Sequence, residues 1–426
     1  MKRVVILCVW LFSVVAGHAQ LSLDECRRLA RENYPEIRQY DLVHQTEQYN
    51  LSNAARAWIP QLAFSAQATW QTDAPNFPKE LTGMLAQQGL EIPGLRKDQY
   101  KVALELNQTI WDGGKSVADK RIARAEAAEQ KTMTDVDLYE LEGRVDDLYF
   151  GILLLDERIA QTNLTLNLLR SNLEKVRALQ RNGVAMQSDA DVLEAELLSV
   201  GQQLIQFESS CDSYRRMLGI FIGQKVGDRK LQRPSAVQPL SGESARPELA
   251  MFAAKIDRLT AQEKMVKSSS MPRLGFFAQG YYGYPGLDYM QSMMNNDWSW
   301  NAMLGVKLSW NFGAYYTQKN NLNKLRTSRQ QVEVQRDVFL FNMNLQAAQE
   351  NGDIARLRKA IADDDRIVAL RRSVREAAES KLRNGIIDTH DLLSKITDES
   401  TASMARSMRE IELLKAIYEY KHTINR

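Results

Sequence analysis

The segment LEGRVDDLYFGILLLDERIAQTNLTLNLLRSNLEKVRALQRNG, residues 141–183, contains no proline and repeats its apolar positions regularly. The steps alternate between four and three, through Leu141, Val145, Leu148, Ile152, Leu155, Ile159, Leu166, Leu169, Leu173 and Val176. Thr162 is the one polar residue at an expected position. This spacing is a heptad seam over about five repeats, which is typical of a coiled coil.

A second seam follows Gly183, through Leu193, Leu197, Val200, Leu204, Phe207, Cys211, Tyr214 and Leu218. Residues 113–233 and 286–426 contain no proline, so the helices can run unbroken. A helix over residues 115–181 would be roughly 100 Å long, at about 1.5 Å per residue. Since no compact domain needs such a helix, the sequence predicts an elongated helical architecture.

The chain contains two copies of one unit, because four landmarks recur in the same order at nearly constant spacing. The matched segments are Tyr34–Ile37 with Arg246–Leu249, Pro60–Phe64 with Pro272–Phe276, Trp111–Gly114 with Asn311–Ala314, and Arg181–Val184 with Arg383–Ile386. The first copy (20–219) predicts a helix, strands at about 60–72 and 99–111, a long helix at 115–181 and a helix at 188–219. After a linker at 220–246, the second copy (247–426) predicts a helix, strands at about 272–284 and 298–311, a long helix at 314–382 and a helix at 388–420. Asp364 and Arg371 interrupt the heptads of this second long helix, which is therefore inferred partly from the repeat.

Residues 1–19 have the pattern of a cleaved export signal, with Lys2 and Arg3 before an apolar stretch and Gly17-His18-Ala19 before the cleavage point. Their removal leaves 53 basic residues of the original 55 against 53 acidic ones. This balance argues against a nucleic-acid partner.

No residue pattern indicates catalysis, a cofactor or a metal site. His44, His390 and His422 are far apart, and no Gly-rich phosphate loop or nucleophile elbow occurs. The sequence therefore predicts that the protein is not an enzyme. Cys26 and Cys211 are interpreted as core residues, with a disulfide between them as the alternative.

Each of the four predicted strands alternates apolar and polar side chains with a period of two. The apolar faces carry Leu62, Phe64, Ala66, Ala68 and Trp70; Tyr100, Val102, Leu104, Leu106 and Ile110; Leu274, Phe276, Ala278 and Tyr282; and Trp300, Ala302, Leu304, Val306, Leu308 and Trp310. A length of about ten residues matches an oblique bilayer crossing. A soluble sheet with one buried face would alternate in the same way. The export signal and the long helices favour the membrane.

Four strands cannot close a barrel, and open edges are not tolerated in hydrocarbon, so other copies must complete it. Two copies give eight strands, whose interior is filled by side chains, so a conducting pore favours three or more. The polar positions Gln67, Lys101, Glu105 and Lys307 are predicted to line the lumen. The loop at 73–98 and the methionines Met290, Met293 and Met294 are predicted to face outside, as a hydrophobic plug or, alternatively, a site for soft metal ions.

Together, the duplicated unit, the Pro-Glu opening of each half, the Trp-Asp-Gly-Gly exit from a strand and the Asn-Gly turns resemble the TolC-like outer-membrane efflux protein family. The resemblance implies an α+β membrane protein that is a homotrimer, with a twelve-stranded transmembrane β-barrel continuous with a periplasmic coiled-coil tunnel of α-helices. It implies a passive outer-membrane exit duct of a tripartite efflux or type I secretion system. Its partners would be a periplasmic adaptor (membrane fusion) protein, an inner-membrane pump and outer-membrane lipid.

The resemblance also assigns the two turns between long and short helices. Gly183, Val184, Gly385 and Ile386 would form the adaptor-docking tip, and Asp189 and Asp391 an acidic periplasmic constriction. The family's second aspartate and its arginine are replaced here by Ser394 and Ile387, so Asp388 and His390 are candidates for the closed-state contacts. Each aspartate could instead simply cap its helix. An exported coiled-coil structural or adhesion protein without a pore is the alternative function, and the cargo is left undecided.

Overall fold

The computed structural model describes residues 20–90, 92–183, 185–235, 244–384 and 386–425, and the predicted signal segment lies outside them. The first part of the chain forms α1 (Leu23–Asn33), a short 3-10 turn at Pro35–Arg38, α2 (Gln39–Arg56), β1 (Gln61–Trp70), α3 (Lys79–Gln87), β2 (Asp98–Trp111), α4 (Lys115–Arg181) and α5 (Gln187–Ile222). The second part forms α6 (Pro247–Ser268), β3 (Arg273–Tyr284), α7 (Tyr289–Asn295), β4 (Ser299–Ser309), α8 (Gly313–Arg383) and α9 (Thr389–Ile424).

The two long helices contain 67 residues in α4 and 71 in α8, so each is roughly 100 Å long. The shorter helices extend past the sequence expectation: α5 ends three residues later, at Ile222, and α9 four residues later, at Ile424. Two short helices, α3 and α7, lie within segments that the sequence presents as loops.

The heptad seam of α4 is buried for most of its length. Leu141, Val145, Leu148 and Ile152 are buried, as are Leu166, Leu169, Leu173 and Val176, while Leu155 and Ile159 are half-buried. Thr162 is buried too, and its hydroxyl has no hydrogen-bond partner among the described residues. The apolar seam therefore supplies the packing surface of α4, with one polar break.

Ion pairs join α8 to α9. Asp364 is buried and pairs with Arg409, and Arg371 lies 2.7 Å from Asp398. These are the two residues that interrupt the heptads of α8, so each interruption marks a contact between helices. Glu399 accepts hydrogen bonds from Arg372, at 3.1 Å, and from Arg375.

The four strands form one antiparallel sheet in the order β1-β2-β3-β4. The pairing Phe64–Leu104, Leu106–Ala278 and Ala278–Leu304 places the alternating apolar residues of all four strands on one face. Among the described strands, β1 and β4 each have a single neighbour. Both edges of the sheet are therefore open within one chain.

The chain divides into two compact units that do not follow the sequence repeat. One comprises the described parts of residues 1–39, 132–250 and 336–426. It contains α5, α9 and the C-terminal parts of α4 and α8. The other comprises residues 40–131 and 251–335, and contains the sheet. Each unit thus draws segments from both predicted copies.

Cys26 and Cys211 are free and buried, which confirms their interpretation as packing residues. Burial raises the pKa of the Cys26 thiol to about 12, with a smaller contribution from the nearby Glu25. Over the described residues, none of the helices has the length and apolar character needed to cross a membrane.

Candidate functional site

The apolar face of the sheet is exposed in the chain. Phe64 is 73% exposed, Trp300 82% and Leu304 75%. On the opposite face, Ala103 and Tyr281 are buried. A soluble sheet with one apolar face would bury that face, whereas no other described part of this chain covers it.

The polar face carries a connected set of side chains. The ammonium of Lys101 donates to the Gln279 carbonyl oxygen at 2.9 Å, and the Gln279 amide nitrogen donates to Glu105. The same ammonium lies 4.5 Å from the centre of the Tyr281 ring. Gln279 thus bridges one cation and one anion, a role that alternation alone could not reveal because the three residues come from two strands.

The other two predicted lumen residues belong to the same face. Gln67 pairs with Lys101 across β1 and β2. Lys307 lines a recess of about 220 Å³ together with Glu105 and Gln279. The backbone pairing therefore brings all four predicted lumen positions together on one side of the sheet.

The first turn between helices joins α4 to α5. Gly183 adopts a left-handed conformation, with φ +74°, which ends α4. The Asp189 carboxylate accepts a hydrogen bond from the Met186 backbone N–H at 2.8 Å. Asp189 therefore caps the start of α5, as the simpler reading of its position expected; the predicted docking residue Val184 lies outside the described residues.

The second turn joins α8 to α9 with the capping roles exchanged. Here Asp388 precedes the helix, and its carboxylate accepts a hydrogen bond from the Asp391 backbone N–H at 2.8 Å. Within the described part of the chain, the Asp391 carboxylate has no hydrogen-bond or ion-pair partner, and it is exposed. Ile386 is also exposed, while Gly385 lies outside the described residues.

The four helix ends next to the turns share one apolar cluster. It contains Leu169, Leu173 and Val176 from α4, Ala190 and Leu193 from α5, Ala378 from α8, and Leu392 and Ile396 from α9. Ile387 packs against it from the second turn. The ammonium of Lys175 lies 3.5 Å from Glu379, which links α4 to α8. The two turns are consequently held at the same end of one helical bundle.

A half-buried histidine near the end of α9 was not singled out by the sequence. The His422 ring stacks on Tyr139 of α4 with 4.1 Å between ring centres, against the side of Gly143. Burial, together with the positive charges of Arg246 and Arg27, lowers the pKa of His422 to about 4. His422 is therefore neutral at physiological pH.

Among the described residues, no group of three or more His, Cys, Asp or Glu side chains could hold a metal ion. The methionines of the predicted outer loop lie on or beside α7, where Met290 and Met294 are exposed. The Met293 carbonyl accepts a hydrogen bond from Gly94 N–H at 3.2 Å. The two loops that the sequence predicts to face outside are thus joined through the backbone.

The model of the outer membrane efflux protein family matches residues 27–223, which include α4, α5 and the first two strands. This part of the chain belongs to that family, which confirms the resemblance of its motifs. No match was found among curated protein sequences. The efflux protein's fold is also found in solved channel structures.

Three of these structures resemble the efflux protein over 94% of its length. The outer-membrane channel OprN has 14% identity, a TM-score of 0.70 and 89% of its own chain covered. The outer membrane protein VceC of Vibrio cholerae has 14% identity, a TM-score of 0.67 and 95% covered. The Campylobacter jejuni CmeC outer membrane channel has 14% identity, a TM-score of 0.65 and 85% covered. At such low identity the likeness shows a common fold.

Proposed function

We propose that this protein is a passive exit duct of the outer membrane. Three copies would join their sheets into a twelve-stranded barrel, and their long helices would form a periplasmic tunnel. An adaptor protein would dock at the helical tip and connect the duct to an inner-membrane pump. The pump supplies the energy and chooses the cargo, so the duct itself needs no catalytic residue.

The single observation that carries the proposal is the exposed apolar face of a sheet with two open edges. Phe64, Trp300 and Leu304 would cost free energy in water, at about 25 cal/mol for each Å² of apolar surface exposed. In lipid the same face is favourable, but unpaired backbone groups at β1 and β4 are not. Pairing β4 of one copy with β1 of the next satisfies both requirements.

Closure by three copies fits the polar face. Eight strands leave an interior that side chains fill, whereas twelve leave room for water beside Lys101, Glu105 and Lys307. The outer surface of α8 gives independent support for assembly. Val334, Val338, Phe341 and Leu345 follow heptad steps there and are exposed in the single chain. A second copy could cover this stripe.

The turns at Gly183 and Ile386 support docking at the tip. Ile386 is 68% exposed although it is strongly apolar, and it follows a turn rather than a packed helix face. Such an isolated apolar side chain at the end of a bundle favours contact with a partner protein that presents a helical hairpin. Cysteine at Val184 or Ile386, used for cross-linking in cells, should capture the adaptor, whereas cysteine at exposed Leu164 along α4 should not.

The duct itself is tested by fractionation and reconstitution. The mature protein should separate with outer membranes, require detergent for extraction, and form an oligomer that inserts into planar bilayers and conducts ions. Leu304→Arg should impair insertion, because an arginine on a lipid-facing strand costs about 2–4 kcal/mol at the bilayer midplane. Ser309→Arg on the polar face should insert normally. Recovery of the mature chain as a soluble monomer without affinity for bilayers contradicts the proposal.

A further inference from the structure

The polar face of the sheet contains an excess of positive charge that the hydrogen-bond network does not neutralise. Four charged side chains occur on this face: Lys101, Glu105, Arg273 and Lys307. Lys101 and Glu105 are bridged by Gln279, so their charges cancel locally. Arg273 and Lys307 remain.

These two cations lie at the same end of the sheet. Arg273 pairs with Ser309, and Lys307 pairs with Gly275, which is two residues from Arg273 along β3. Both side chains are exposed and line one recess of about 400 Å³. Throughout the described ranges neither has an ion-pair or hydrogen-bond partner.

The two carboxylates near this recess already have partners in the chain. Asp112 accepts hydrogen bonds from the N–H groups of Gly114, at 2.9 Å, and Ser116, at the start of α4. Asp119 lies 2.8 Å from the ammonium of Lys115. These hydrogen bonds do not remove the charge of Asp112. The lining has three cations, Lys115, Arg273 and Lys307, against the two anions Asp112 and Asp119, so one net positive charge and a positive potential remain.

We propose that the helix-proximal end of the barrel is an anion-favouring ring in which Arg273 and Lys307 select for negatively charged solutes. This inference rests on the proposed duct, in which each copy contributes both cations. Negatively charged small molecules, such as carboxylates and phosphate esters, would be concentrated there, and cations depleted. The acidic tip predicted at Asp391 would have the opposite preference, so the two ends of the duct would differ in sign.

The local potential can be measured without an open tip. In protein reconstituted into lipid vesicles, Ser309→Cys places a thiol beside Arg273. Its reaction rates with a sulfonate-bearing and a trimethylammonium-bearing methanethiosulfonate, each divided by the rate of the same reagent with a small free thiol, should favour the anionic reagent. One charge about 10 Å away in water changes each rate about twofold, so Arg273→Gln or Lys307→Gln should lower the ratio of the two rates on the order of fourfold.

Lys307→Arg is the matched control, since it keeps the charge and should keep the ratio. The unsubstituted protein is the blank, because Cys26 and Cys211 are buried. A ratio at or below one, or a ratio unchanged in both glutamine variants, overturns the anion-favouring ring. Val306→Cys on the apolar face tests the duct separately: both reagents should fail to reach it in vesicles, and rapid labelling there would contradict the lipid-facing sheet instead.

Discussion

The two helical hairpins of the protein reach the same end of the bundle but are held together differently. The α4–α5 hairpin closes over an apolar seam that includes Leu169, Leu173 and Leu193, all buried. The α8–α9 hairpin has a shorter apolar contact, in which Ile354 and Leu357 pack with Ala416 and Ile417. Ion pairs supplement it, with Asp364, Asp398 and Glu399 facing arginines of the opposite helix. The apolar residues of α8 that follow heptad steps are mostly exposed.

This difference indicates which hairpin can move at the lower cost in free energy. Apolar packing lost from a close-packed seam leaves a cavity, so α4–α5 behaves as a fixed element. An ion pair can instead be exchanged for water or for another partner. The cost is small where the pair is exposed, as at Arg371–Asp398, and larger where the carboxylate is buried, as at Glu399. We therefore expect α8–α9 to be the hairpin that moves when the tip changes state.

The largest effect is expected from the apolar seam. Leu169→Ala should lower the free energy of unfolding by about 2–5 kcal/mol, because a fully buried side chain is replaced by a cavity. Urea unfolding followed by circular dichroism measures it. Leu370→Ala on the exposed face of α8 is the control, and it should affect oligomer formation rather than helix folding. Equal helix destabilisation by both would remove the contrast between the hairpins.

A smaller effect is expected from the buried ion-pair partner of α9. Glu399→Gln should lower the free energy of unfolding by about 1–3 kcal/mol, since Arg372 and Arg375 lose a charged acceptor. Asp398→Asn, whose partner Arg371 is exposed, should cost less than about 1 kcal/mol. Salt titration of the unfolding midpoint separates the two, and a larger loss for Asp398→Asn would be inconsistent with this ranking.

Acid should weaken the other end of α9 through His422. Its pKa is about 4 in the folded chain and near 6.5 when unfolded, so the unfolded chain binds the proton more readily. The His422 contribution is complete above pH 6.5 and decreases as the pH falls towards 4. Nearby Arg246 and Arg27 favour the neutral ring, whereas Glu248 and Asp147 oppose them. His422→Gln should make the free energy of unfolding depend less on pH between about 4 and 6.5. An unchanged pH dependence in this variant would exclude His422 as its cause.

The smallest stability effect is expected at the tip, where the two turns differ. Asp189→Ala and Asp388→Ala should each cost about 0.5–2 kcal/mol as lost caps, while Asp391→Ala should cost less because its carboxylate bonds to nothing in the described chain. Asp391→Ala should instead raise resting conductance in planar bilayers and weaken block by divalent cations. Unchanged conductance and block would remove Asp391 from the proposed constriction.

Much of this architecture could be predicted from periodicity. The seam of α4 and the faces of the strands follow from steps of three, four and two residues, because burial and pairing repeat with the backbone. The family resemblance was confirmed. Local turn residues such as Gly183 could be predicted for the same reason, since the left-handed conformation favours glycine.

Contacts between distant segments could not be predicted. Asp364 interrupts a heptad in the sequence, but its partner Arg409 is 45 residues away. Gln279 bridges Lys101 and Glu105 from a strand 178 and 174 residues away. The capping roles differ because Met186 precedes α5 whereas Asp388 precedes α9, although the two helices begin at equivalent positions of the repeat.

The open edges of the sheet also have a genetic consequence. Because β1 and β4 come from different ends of the chain, each joint in a closed ring unites unlike edges, and one faulty edge leaves the whole ring unsealed. Consider a cell that makes sound and edge-damaged chains in equal amounts. In the proposed three-copy assembly, only about one ring in eight would contain no damaged chain. An allele encoding such a chain would therefore be dominant over the intact gene.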